Sequence, residues 1–238
     1  MTNKEHFKET VSLALPVVVA QVGFVMMGVV DSAMVGRLGD APLAASSLSL
    51  SLFFIITVIG LGIVMAMTPL VAIAVGSSDS SKCSSVFHQG IWVSFFTGII
   101  LNLVVYFGTD IIAYMDQPKE VVDLSLSYTR IISFSIPPML LFTGYKQFIE
   151  GLSFTRPAMV IAIVANFVNF FFNWVFIYGN LGAPALGLDG AGFATLGSRI
   201  FMFVTLAIFV HKNREFERFK LKLFPFKGLD ENGREILK

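Results

Sequence analysis

Charge is scarce in this chain. Only 14% of its 238 residues are Asp, Glu, Lys or Arg, against about 25% in a soluble domain. Cysteine is nearly absent. A single residue, Cys83, excludes an internal disulfide and any multi-cysteine metal site. Three scattered histidines (His6, His88 and His211) leave no basis for a histidine-rich metal centre. No HExxH, no GxSxG and no paired intramembrane aspartates occur, so the sequence shows none of these catalytic patterns. The net charge of +1 gives no reason to expect a nucleic-acid partner.

What remains is apolar. Hydrophobic residues make up 55% of the chain, and the mean hydropathy is +0.77. This is an integral membrane protein. Its first apolar run is too long for the core of a signal peptide and lacks an A-x-A-like cleavage site.

A spanning helix needs about 20 mostly apolar residues. Reading between charges gives six spans, at 11–35, 43–75, 85–108, 121–147, 157–178 and 188–210. The chain therefore divides into a tail over 1–10, a six-helix membrane unit over 11–210 and a second tail over 211–238. Pro69 predicts a bend late in span 2, and Pro137-Pro138 predict one in span 4. With the N-terminus inside, the inner segments hold Lys4, Lys8, Lys82, Lys146, Arg156 and the eight basic residues from Lys212 onward, and the outer loops hold Arg37 and Lys119. Thirteen against two is a strong positive-inside bias, so both termini are expected in the cytoplasm. Arg130 and Arg199 fall within spans. The 211–238 tail mixes basic and apolar residues; it reads as a solvated connection or as a segment lying on an anionic membrane surface.

The polar residues inside spans are the candidates for function. Asp31 follows 21 uncharged residues, Thr10 to Val30. A carboxylate in a span is costly and marks a functional site by default. At 1.5 Å per residue it lies about 12 Å outward of the middle of span 1. The other reading makes it the wet end of the helix, but an anion near a helix C-terminus is disfavoured by the dipole. Asn166, Asn169 and Asn173 recur at i, i+3, i+7 and so share one face of span 5. They line a cavity or act as interhelical hydrogen-bond glue. Thr195 and Arg199 in span 6, Gln21 in span 1 and Ser46, Ser47 and Ser49 in span 2 complete the polar set. The serines read more readily as packing residues, and Arg199 as a structural partner for a carboxylate or a helix end. The aromatic face of span 5 (Phe167, Phe170, Phe171, Phe172, Trp174) is lipid-facing bulk or a cage for flat cations.

Several blocks carry a family resemblance. They are Pro16 followed by Val30-Asp31-Ser32-Ala33-Met34-Val35-Gly36, then Gly60-Leu61-Gly62, Thr68-Pro69-Leu70-Val71-Ala72 and His88-Gln89-Gly90. The series continues with Glu150-Gly151-Leu152, Thr155-Arg156-Pro157-Ala158-Met159, Asn173-Trp174-Val175-Phe176-Ile177-Tyr178-Gly179, Gly190-Ala191-Gly192 and Ala194-Thr195. In this order the chain resembles the N-terminal half of a multidrug and toxic compound extrusion (MATE) transporter, most like the NorM-type bacterial branch. The resemblance implies an all-α membrane protein with N-in/C-in topology, one six-helix lobe of a twelve-helix fold. It implies an antiporter, not an enzyme, that exports organic and often cationic drugs or toxins in exchange for H⁺ or Na⁺, with no cofactor. The partners it implies are small organic substrates, the bilayer and a C-terminal lobe missing from this sequence; the expected location is a bacterial inner membrane.

Asp31 is then the cation-coupling residue. Asn169 and Asn173, with Asn166, Gln21, Thr195 and Arg199, form the expected substrate-binding set. Pro16 is the expected hinge, and no metal is expected save a sodium ion at Asp31. Two further readings stay open. One is a non-transporting fragment, or a half-lobe needing a separate second half. The other is a lipid-linked oligosaccharide flippase of the same superfamily, which the scarcity of intramembrane cations argues against.

Overall fold

The computed structural model describes residues 3–219, with Leu221 and Ile236 beyond them. The expected tail at 211–238 falls largely outside the described residues. Among the described residues eight α-helices run in order: α1 (Asn3–Val35), α2 (Asp40–Met65), α3 (Met67–Gly76), α4 (Ser80–Gly108), α5 (Lys119–Ser133), α6 (Ile136–Gly151), α7 (Arg156–Tyr178) and α8 (Leu188–Lys212). Short 3-10 turns link them, and a last one, Arg214–Phe219, follows α8. Among the described residues there is no strand.

The expected spans map onto these helices in sequence. α1 ends at Val35 as read, but it starts at Asn3, so the residues expected as a tail are helical. Span 2 is α2 plus α3, bent at Ala66 just ahead of Pro69. Span 4 is α5 plus α6, of 15 and 16 residues, which meet at Phe134–Ser135. Each is shorter than the roughly 20 residues a crossing requires. Pro137 and Pro138 occupy the first turn of α6, where a missing N–H costs nothing. The remaining spans are unbroken, and five helical stretches are long and apolar enough to cross a membrane: 10–38, 40–76, 80–114, 156–178 and 188–212.

Local chemistry sets the helix ends. Asp79 caps α4 by accepting the Lys82 N–H at 2.8 Å. Gly179 closes α7 in the left-handed conformation, at φ 75°, and returns its N–H to the Val175 carbonyl.

α6 is the axle of the bundle. Every residue from Leu140 to Ile149 is buried, under α2, α3, α4 and α8. Large apolar side chains instead cover the outside. Val18, Val22, Val25 and Val29 are exposed along α1, and Val160, Val164, Phe167, Phe170 and Phe171 along α7. In lipid such surfaces cost nothing, and helix association rests on close packing. Gly190 shows the closeness: a Cβ there would stand 2.4 Å from the Phe176 carbonyl oxygen, so α8 starts directly against the end of α7.

Candidate functional site

The site forms where α1, α7 and α8 meet. α7 packs on both α8 and α1. Asp31, on the last turns of α1, is 8% exposed, while Asn169 and Asn173 on α7 are fully buried. The Asn173 side chain donates its Nδ2 to Asp31 Oδ1 at 2.5 Å, and to Asn169 Oδ1 at 3.1 Å. Thr195 on α8 donates its hydroxyl to Asp31 Oδ2 at 3.2 Å. Each carboxylate oxygen thus accepts one bond from a different helix. Bonds to an ionised acceptor are the strong kind, about twice a neutral pair.

Two buried atoms in the cluster remain without a partner: Asn173 Oδ1 and Asn169 Nδ2. Buried polar atoms are almost always bonded, so each exception asks for a reason. Here the orphaned Oδ1 belongs to the amide that bonds Asp31, whose other oxygen accepts from Thr195. That set of hard oxygens suits a proton or a hard cation. Among the described residues no group of three or more His, Cys, Asp or Glu could hold a metal.

Other expected site residues make their contacts elsewhere. Asn166 donates to the backbone carbonyls of Gly23, at 3.0 Å, and Ala162, at 2.8 Å; it ties α7 to α1. Gln21 is exposed and lies ten residues, about 15 Å, along α1 from Asp31. The structure does not bring it to the cluster. Ser46 and Ser47 bond the carbonyl of Leu43 in their own helix. Ser49 and Ser125 exchange bonds between α2 and α5, to the Ser125 carbonyl at 3.4 Å and from Ser125 to that of Ala45 at 3.3 Å. Ser49 and Ser125 thus join two helices, while Ser46 and Ser47 bond only within α2. Pro16 is buried inside a continuous α1; its missing N–H leaves one gap in the helix ladder. Phe167, Phe170 and Phe171 are exposed on the side of α7 away from the buried asparagines.

Arg199 lies one turn beyond Thr195 on α8, on the same face. Its Nη1 donates to Ser135 Oγ at 2.5 Å, at the α5–α6 break, and its guanidinium sits over the Phe53 ring, 5.0 Å from the centroid. Asp31 and Tyr128 are within its electrostatic reach. Arg130 is engaged elsewhere, with Asp110 at 2.7 Å. The sequence reading missed Tyr128 and Ser135. Tyr128 had a signal: Val121, Ser125, Tyr128 and Ile132 form the buried stripe of α5 at i, i+4, i+7, i+11.

A sequence model of the MatE family matches residues 16–175, which includes the Asp31 turn and both site asparagines. This chain belongs to the MatE family. Among its relatives, Multidrug resistance protein NorM of Aliivibrio fischeri is 37% identical over 199 residues, 84% of this chain and 43% of that protein. Multidrug resistance protein MdtK of Yersinia pestis is 34% identical over 216 residues, 90% of this chain and 47% of that protein. The chain thus spans less than half the length of these curated relatives. Two solved structures share the MatE fold. An outward-facing multidrug resistance MATE family transporter of the MOP superfamily superposes with a TM-score of 0.86 at 22% identity, over 97% of this chain and 50% of that one. An inward-facing structure of such a transporter gives 0.79 at 22% identity, over 89% of this chain and 47% of that one. The fold of this chain is therefore that of about half of such a transporter, one six-span lobe, and the family is one of membrane transporters.

Proposed function

We propose that this chain is the cation-coupling lobe of an antiporter that exports organic, often cationic, compounds in exchange for H⁺ or Na⁺. The observation that carries the reading is the Asp31 carboxylate: buried in a membrane helix, bonded to Asn173 and Thr195, and flanked by the orphaned Asn173 Oδ1. On this reading the chain lies in a bacterial inner membrane with both termini cytoplasmic, as the distribution of Lys and Arg supports. The site then opens toward the outer half of the bilayer. The unit working with a second six-helix lobe belongs to the same proposal, as does the division into a membrane lobe at 11–210 and flanking tails.

The mechanism follows from the geometry. An ionised Asp31 holds α1 to α7 and α8 through two charge-assisted bonds. A cation arriving from outside, a proton or a sodium ion, satisfies the carboxylate instead. The bonds to Asn173 and Thr195 weaken, an organic cation loses its countercharge, and α1 is released from its neighbours. The ladder gap at Pro16 gives α1 a place to bend. The two ligands compete because each favours a different arrangement of the same three helices; differential affinity is what drives such a switch.

Asn169, Asn173 and Thr195 serve both the coupling ion and the substrate. Asn166 and Gln21 stand apart from Asp31, so their expected part in binding rests on a rearranged cavity. The flippase reading has less support. It needs cations free for a pyrophosphate, and Arg199, Arg130 and Lys146 are each engaged, with Ser135, Asp110 and Glu150. The reading as a non-transporting module is separated by export of a fluorescent organic cation from cells making this chain with a second lobe. Export that depends on Asp31 supports the antiporter; export equal to that of cells lacking the chain overturns it.

A further inference from the structure

Arg199 is a cation placed beside the coupling carboxylate without touching it. The ion pairs within 4 Å among the described residues are Arg130–Asp110 and Lys146–Glu150, and Asp31 is in neither. Arg199 is held back by other contacts. Ser135 Oγ takes its Nη1 at 2.5 Å, and the Phe53 ring lies beneath its guanidinium. Ser135 is itself fixed, donating to the Ile132 carbonyl at 2.5 Å where α5 ends. The guanidinium is therefore tethered to the break in span 4, one helical turn from the Thr195 that bonds Asp31. The titratable groups that face it are Asp31 from α1 and Tyr128 from α5; Asn169 and Asn173 from α7 carry no charge. Lone charges in a membrane interior are costly, and an opposite charge nearby offsets the cost for both.

We propose that Arg199 sets the charge selectivity of the Asp31 site, acting as a built-in cation that competes with an organic cation for the carboxylate. This deepens the reading of Asp31 as the cation-accepting group and rests on it. With Asp31 ionised and Arg199 protonated the pair has no net charge, so an organic cation enters a neutral site, not an anionic one. Only a ligand that contacts the carboxylate directly gains more than Arg199 already supplies. The site thereby disfavours bare, bulky monovalent cations that bind by long-range attraction alone. A fixed charge of this kind, beyond 4 Å of the carboxylate in a partly polar interior, changes cation affinity by about tenfold.

The test is equilibrium binding of tetraphenylphosphonium to the purified full chain in lipid nanodiscs, beside its neutral analogue triphenylphosphine oxide. Arg199→Gln is expected to bind the phosphonium about tenfold more tightly than wild type, with the neutral compound unchanged. Arg199→Lys keeps the charge and is expected to match wild type. Arg199→Met, which also removes the charge and sets an apolar chain against Phe53, is expected to repeat the Gln result. Equal tightening for both compounds means that the substitution only opened space, and overturns the inference. So does phosphonium binding no tighter than wild type, including the case in which neither protein binds it, and so does failure of both uncharged variants to fold. Asp31→Asn separates this from the reading beneath it. If Asp31→Asn binds the phosphonium as wild type does, Asp31 is not the cation-accepting group. If Asp31→Asn loses binding while Arg199→Gln gains none, Asp31 stands and Arg199 falls.

Discussion

Asn173 gives its side-chain N–H to the Asp31 carboxylate at 2.5 Å, across 142 residues of chain. α1 and α7 are held at this point by a charge, not by packing alone. The same nitrogen also reaches Asn169 Oδ1, so the α7 face is bound to itself and to α1 through one amide. What changes the charge on Asp31 changes the joint.

Asp31→Asn replaces a carboxylate with an amide of the same shape. The buried charge disappears and the bond to Thr195 is retained or inverted. We expect the variant to fold with a melting temperature somewhat below wild type, because Arg199 then loses the opposite charge that offsets its own burial. Export of a fluorescent organic cation, measured with a second lobe present, falls at least tenfold. Export at the wild-type rate would remove Asp31 from the mechanism.

Asn173→Ala removes the donor but leaves the carboxylate. A hydrogen bond to a charged group contributes about 1.5–3 kcal/mol, so the chain loses stability of that order. Thermal unfolding in detergent, followed by the far-ultraviolet signal, measures it. The double variant Asp31→Asn with Asn173→Ala should lose less than the sum of the two single variants, since both act on the same bond.

Gly190→Leu tests the α7–α8 contact that positions Thr195. Any Cβ at this site meets the Phe176 carbonyl at 2.4 Å, and backbone cannot yield as a side chain would. The start of α8 must move away from α7. We expect poor expression and a melting temperature several degrees below wild type. A well-expressed variant with wild-type melting would contradict the contact.

Lys146→Ala tests the far end of the bundle. Lys146 and Glu150 form a buried pair at 3.5 Å, with side chains 9% and 11% exposed. Removing one partner leaves a buried charge and costs about 3–5 kcal/mol. Glu150→Gln together with Lys146→Met restores most of that loss, because neither residue then buries a charge. Denaturation midpoints of the three proteins check the order.

Much of this architecture was legible before any tertiary contact was known. Charge spacing located the spans, and Pro69 and Pro137-Pro138 located both bends, because a proline acts on the turn that contains it. The i, i+3, i+7 spacing put three asparagines on one face of α7. It did not separate their roles. Asn173 bonds both Asp31 and Asn169, whereas Asn166 reaches the Gly23 carbonyl. Gln21 joined the polar set by residue type, yet it lies ten residues along α1 from Asp31 and is exposed. Tyr128 and Ser135 went unmarked because their importance comes from Arg199, a neighbour more than sixty residues away.

The sequence by itself determined a six-span apolar chain with one carboxylate set in its first span and asparagines in its fifth. Hydropathy, helical rise and proline geometry are local, and they need no partner to act. Only the tertiary structure decided that Asp31, Asn173 and Thr195 share bonds while Arg199 stands one turn away, tied to Ser135. That arrangement depends on how three helices rotate and how closely they approach. Small residues such as Gly190 and the buried serines fix those quantities through contacts between distant parts of the chain.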